Sequence, residues 1–168
     1  WARVPFLSIQ GKPKEKTSLA KALDKLDVAE IHIVSWTQQY PAIIPRDFID
    51  RSSKTDLLEG TNIKVHYITN YNSPLSWGRT VKLIKDIAPR MVIFQWAIAI
   101  QGLPLGYIAR KLSKVRGLEV IFDLHFVIQK EGSTIDMAFT RRGIRHAHSY
   151  VVHAYKTYDE LKKLFPGN

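Results

Sequence analysis

The chain reads as an α/β domain, three layers deep, with a mainly parallel sheet of about six or seven strands between helices. Two observations predict this. Short apolar runs alternate with segments whose apolar residues recur at helical spacing, which is the pattern of βαβ units. The runs MVIFQW at 91–96 and VIFDL at 120–124 are apolar nearly throughout, as strands are when helices cover both faces of a sheet. All-β and helical-bundle folds are excluded on the same grounds. With 168 residues, 45% hydrophobic and 24% charged, residues 1–168 suffice for one domain with a sizeable core.

Taken in order, the apolar runs are 4–9, 31–36, 64–68, 91–96, 120–124 and 150–153. Helices are expected over 16–26, 76–88, 103–114, 135–146 and 157–164. In the first of these, Leu19, Ala22, Leu23 and Leu26 share one face. Thr17 or Ser18 is placed to cap the first helix, Ser76 the second, and Ser133 or Thr134 the fourth. Residues 37–62 carry Pro41, Pro45 and scattered charge, and read as an irregular excursion. There is no internal repeat, low-complexity tract or interdomain linker.

The chain has no cysteine, which excludes disulfides, thiolate metal sites and cysteine nucleophiles and suits a reducing cytosol. No apolar run approaches the roughly 20 residues of a spanning helix. The formal charge of +10 is unevenly placed: residues 1–60 carry 9 Lys/Arg against 8 acids, and residues 61–168 carry 16 against 7. Arg110, Lys111, Lys114 and Arg116, with Arg141, Arg142 and Arg145, form the expected basic surface. Such a surface favours anionic partners, including acidic lipids.

His125 stands just past the run 120–124, where a parallel sheet presents its ligands. Period-two alternation puts Asp123 on the same side. A histidine there is a base, a hydrogen-bond donor to a sugar or phosphate oxygen, or a polar plug. Gly11 and Lys12 lie between the first run and first helix, where backbone N–H groups meet phosphate in doubly wound folds. The chain contains no G-x-G-x-x-G, P-loop or G-x-S-x-G motif. Trp96 and Gln101 flank the turn after the fourth run and join Gly11, Lys12 and Asp123 as cleft candidates. His146, His148 and His153 cluster in sequence without a neighbouring carboxylate, so no metal is expected there.

Three stretches carry a family resemblance: HIVSWTQQY at 32–40, the long run from VHYITNYNSPLSWGRT through FQWAIAIQGLPLGYIARKL, and VIFDLHFVIQKEGSTIDMAFTRRGIRHAHSYVVHAYKTYDELKKL. They resemble the amino-terminal domain of a family-four retaining glycosyltransferase of the GT-B fold. The resemblance covers most of the chain from about Ile31 onward. It implies a Rossmann-like domain that holds the acceptor across a cleft from a second, nucleotide-sugar-binding domain. It also implies that His125 lines that cleft near the transferred sugar. The family's usual glycine pair after the first strand is reduced here to Gly11 among lysines.

The resemblance therefore implies the acceptor-side half of a hexosyltransferase-type enzyme, inactive without a nucleotide-sugar-binding domain on the same or a separate chain. The acceptor is a sugar or lipid-linked hydroxyl, with no metal or other cofactor and no nucleic acid. The expected location is the cytoplasm or the cytoplasmic membrane face, where the basic later half, with Arg110, Lys111 and Lys114, is placed to meet acidic lipid. Two rivals stand beside it: a non-catalytic basic α/β binding module for anionic partners, and a small-molecule enzyme complete in one domain.

Overall fold

The computed structural model describes residues 4–9, 21, 24–25, 29–38, 60–96, 99–127 and 134–167. They form an α/β fold with parallel strands. In chain order the elements are β1 (Val4–Ile9), β2 (Ala29–Gln38), β3 (Lys64–Asn70), α1 (Pro74–Ile87), β4 (Met91–Trp96), α2 (Gly102–Leu112), β5 (Glu119–Leu124), α3 (Thr134–Ile144), β6 (Ser149–Val152) and α4 (Tyr155–Leu164). A single 3₁₀ turn, Ala99–Gln101, leads into α2. The strands pair in the order β3-β2-β1-β4-β5-β6, all parallel. The direction in which successive strands are added reverses between β1 and β4, which creates a switch point in the strand order. Of the helix expected over 16–26, Lys21, Asp24 and Lys25 are described and are helical. The rest of it, its Thr17 or Ser18 cap, and most of the 37–62 excursion lie outside the described residues.

Period-two alternation sorts the strand residues onto two faces. Val34 and Trp36, Val92, Phe94 and Trp96, and Val120, Phe122 and Leu124 share the main core with Ile84, Leu105, Ile108, Leu112 and Ile144 of the helices. The Phe94 and Phe122 rings stack with centroids 4.8 Å apart. Ile31 and Ile33 belong to a smaller cluster with Ile63, Val65, Met91 and Ile93 on the other face. On β2 and β3 a polar chain interrupts the apolar pattern: His32 Nε2 donates to Glu30 Oε1 at 3.2 Å, and His32 Nδ1 meets His66 Nε2 at 3.0 Å. Burial, then the proximity of His32 and Lys64, holds His66 below the ordinary histidine value.

The second helix starts earlier than Ser76. Its N-cap is Ser73, whose side chain accepts from the Ser76 N–H, and Pro74 follows in the first turn. Proline suits that position because its fixed φ is helical and the N–H it lacks would have no helical partner. Ser76, one turn in, is buried and donates its hydroxyl to the Ser73 carbonyl at 2.7 Å. Helix α3 stops at Ile144, two residues short of the expected end, and the chain turns into β6. Of the caps expected there, Thr134 is the first residue of α3, and Ser133 lies outside the described residues.

Helix α2 packs against both α1 and α3, and glycines set its distance from α3. A Cβ on Gly143 would lie 2.7 Å from Trp96 Cζ3 and 2.8 Å from the Gly102 Cα. One on Gly106 would lie 2.7 Å from the Arg142 carbonyl oxygen, and one on Gly102 would run into the Phe139 carbonyl. Backbone meets backbone at this crossing, so no side chain larger than hydrogen fits. Gly143→Ala is expected to destabilise the chain by about 1–3 kcal/mol through overpacking. Gly78→Ala, in α1 with open space around its Cα, is expected to stabilise it by about 0.5–1 kcal/mol. Denaturant midpoints of the two variants should move in opposite directions.

Candidate functional site

Strands β4, β5 and β6 end side by side, and on the face away from the main core polar side chains gather at and just past their carboxyl ends. Gln95 and Asp123 are register partners, and so are Asp123 and Val151. The next same-face positions, just past β5 and β6, are His125 and His153. Gln95 Nε2 donates to Asp123 Oδ2 at 3.1 Å, and His153 Nε2 donates to Asp123 Oδ1 at 2.6 Å. The His125 and His153 rings stack 4.4 Å apart and only 7° from parallel. Asp123's side chain is 14% exposed and His153's 48%, so a screened carboxylate supports an accessible imidazole. Asp123, His125 and His153 each offer one ligand atom, all within 4.8 Å of one another.

The backbone around these residues is tied down. The Thr157 hydroxyl of α4 donates to the His125 carbonyl at 3.3 Å, and the Val127 N–H donates to Glu160 Oε2 at 3.3 Å. Strand β6 is pinned to β5 by three further bonds. The Val120 N–H donates to His148 Nδ1 at 3.0 Å, the His148 N–H to the Val120 carbonyl at 2.8 Å, and the Ser149 hydroxyl to Glu119 at 2.9 Å. The Tyr150 phenol donates to the Ile144 carbonyl at 2.8 Å, and burial pushes its pKa up to about 12. The three histidines that cluster in sequence therefore separate in space: His148 is a strand bond acceptor, His146 faces the helices, and His153 joins the site. The carboxylate absent from their sequence neighbourhood is Asp123, supplied from the adjacent strand.

Two expected cleft residues are buried. Trp96 is 1% exposed and packs in the main core against Phe122 and the glycine crossing, because it shares the face of Val92 and Phe94. Gln101 is wholly buried at the start of α2, and neither atom of its amide has a hydrogen-bond partner among the described residues. Gly11 and Lys12 lie outside the described residues. Gln95, which sequence reasoning missed, is buried and holds Asp123 in place.

Arg110, Lys111 and Lys114 are exposed around the carboxyl end of α2. Lys111 Nζ lies over the Tyr107 ring, 5.7 Å from its centroid. Arg110 borders a groove with Trp77, Tyr107, Arg142, Arg145 and His146. The carboxyl ends of α2 and α3 converge here, so their last-turn cations also complement the helix dipoles. The groove runs along α2 from Leu103 to Arg110, on the helix side of the sheet. Burial first, then Arg145, Arg110, Lys114 and Arg142, holds the His146 imidazole below the ordinary histidine value.

Comparison with protein-family models and with curated proteins yields no match. Fold and site define an α/β protein with a parallel sheet and an Asp/His cluster at its strand carboxyl ends. Among the described residues no helix is long and apolar enough to cross a membrane.

A histidine whose folded pKa lies below its unfolded value of about 6.5 takes up its proton more readily when the chain unfolds. Stability then falls as pH drops through 6.5 toward the folded value, and is unaffected above that window. His146→Gln is expected to flatten this loss between about pH 7.5 and 5. Denaturant midpoints of variant and parent across that range check it.

Proposed function

We propose that this chain is the acceptor-side, Rossmann-like half of a GT-B glycosyltransferase, transferring a sugar from a nucleotide sugar to an acceptor hydroxyl. The observation that carries the reading is His125, which leaves the carboxyl end of β5 beside Asp123 in a parallel sheet. Ligands of such sheets sit at that end. The family resemblance assigns His125 to the transferred sugar, and the stacking on His153 and the Thr157 tether support a fixed ring able to contact it. A second domain supplies the donor site on this reading, on the same chain or another. In the complete enzyme, His125→Ala is expected to lower turnover about 10²-fold or more. The denaturant midpoint should change little, because the ring is exposed. Near-parental turnover per folded molecule would remove His125 from the site.

The cationic groove favours an acidic membrane surface as partner, with a lipid-linked acceptor and a place at the cytoplasmic face. Arg110, Lys114, Arg142 and Arg145 converge on His146, while Leu103, Ile135 and Met137 are exposed nearby. Cations next to exposed apolar side chains suit a lipid headgroup region. The triple variant Arg110→Ala, Lys114→Ala, Arg142→Ala is expected to bind phosphatidylglycerol vesicles about 100-fold more weakly, at about 1 kcal/mol per cation. Cosedimentation with neutral and acidic vesicles measures it. Equal binding of the variant would dismiss the membrane. Salt-steep binding to DNA or heparin without vesicle binding would favour the rival binding module.

A further inference from the structure

We propose that Asp123, His125 and His153 form a site for a divalent first-row transition ion of the zinc class. Their three ligand atoms lie within 4.8 Å of one another, and all come from adjacent strand ends or the residues just after them. Two imidazoles and one carboxylate are a donor set that zinc takes in sites with an open position, and that ferrous iron takes in facial triads.

What sets the cluster apart from a chance grouping is its support. Asp123 gives one oxygen, Oδ2, to the amide of Gln95 and turns the other, Oδ1, toward His153. Gln95 is buried, so this hold is shielded from water. A ligand carboxylate whose second oxygen is held by a neighbouring amide matches the outer-shell arrangement of metal sites. Asp123 stands on β5, and each histidine follows the last residue of its strand directly, so the pairing of β5 with β6 sets the spacing. Binding replaces the proton that bridges Oδ1 and Nε2, and the exposed imidazoles need only a side-chain rotation to present their nitrogens to the ion. Three protein donors leave coordination positions for an oxygen of water or of an anionic ligand. This inference does not rest on sugar transfer, and a metal titration in the absence of any nucleotide sugar is blind to that reading.

The test uses the tag-free chain. Isothermal titration with Zn²⁺, and visible absorption with Co²⁺, should show saturable one-to-one binding and an absorption pattern of low coordination number. Asp123→Asn and His153→Ala should each weaken binding about 100-fold or more, and Gln95→Met, a positioning variant, about 10-fold. Circular dichroism shows whether each variant is folded. The unsubstituted chain gives a readout free of that concern: Zn²⁺ should protect His125 and His153, but not His146, from carbethoxylation mapped by mass spectrometry. Absence of saturable binding, equal binding by folded Asp123 and His153 variants, or equal modification of His125 and His153 with and without Zn²⁺ would each overturn the proposal.

Discussion

The backbone-to-backbone crossing of α2 and α3 is the constraint on which the carboxyl-terminal half of the sheet depends. Gly102 and Gly106 on one helix and Gly143 on the other let the axes approach until Trp96 closes the gap from below. Only four residues separate the end of α3 from the start of β6. Wherever α3 sits, β6 must follow. The strand then locks through His148, Ser149 and Tyr150, and three residues further on His153 arrives at the carboxylate of Asp123. Packing between helices thus determines a polar contact on the opposite face of the sheet.

That sheet separates two kinds of surface. The face toward α1, α2 and α3 is filled by Phe94, Trp96, Phe122 and aliphatic side chains. The other face carries a smaller apolar cluster on β2, β3 and β4, and turns polar toward the carboxyl ends of β4 and β5. Positive charge is gathered at the far ends of α2 and α3. The Asp/His cluster and the cationic groove are therefore separate features, and losing one should leave the other intact.

Much of this was legible in the sequence because it follows local periodicity. The strand–helix alternation is carried by apolar runs, and Asp123 and His125 share a side because they are two apart. The same rule, applied to Val92, Phe94 and Trp96, assigns Trp96 to the core, against its reading as a cleft wall. His153 escaped because its partner lies on another strand, and only register joins them. A signal was nonetheless present: His125 and His153 each stand just past an apolar run, so laying neighbouring runs end to end would have paired them. Gln95 had no such signal, since a lone amide in an apolar strand reads as an interruption until its hydrogen bond is seen.

The placement of β1 has a consequence for how the chain reaches this structure. It is the first strand in sequence, yet it lies inside the sheet, with Phe6 beside both Ile31 and Met91. Its pairing with β4 spans roughly half the chain, whereas β4, β5 and β6 join through short helical crossovers. Long-range pairings close slowly because the loop entropy must be met before the contact forms. During synthesis β1 emerges well before β4 and has an unpaired edge until β4 follows, a period in which it is open to pairing with other chains. Strands β4 to β6 and their helices are suited to assemble first, leaving the free edge of β4 as the template onto which β1 closes.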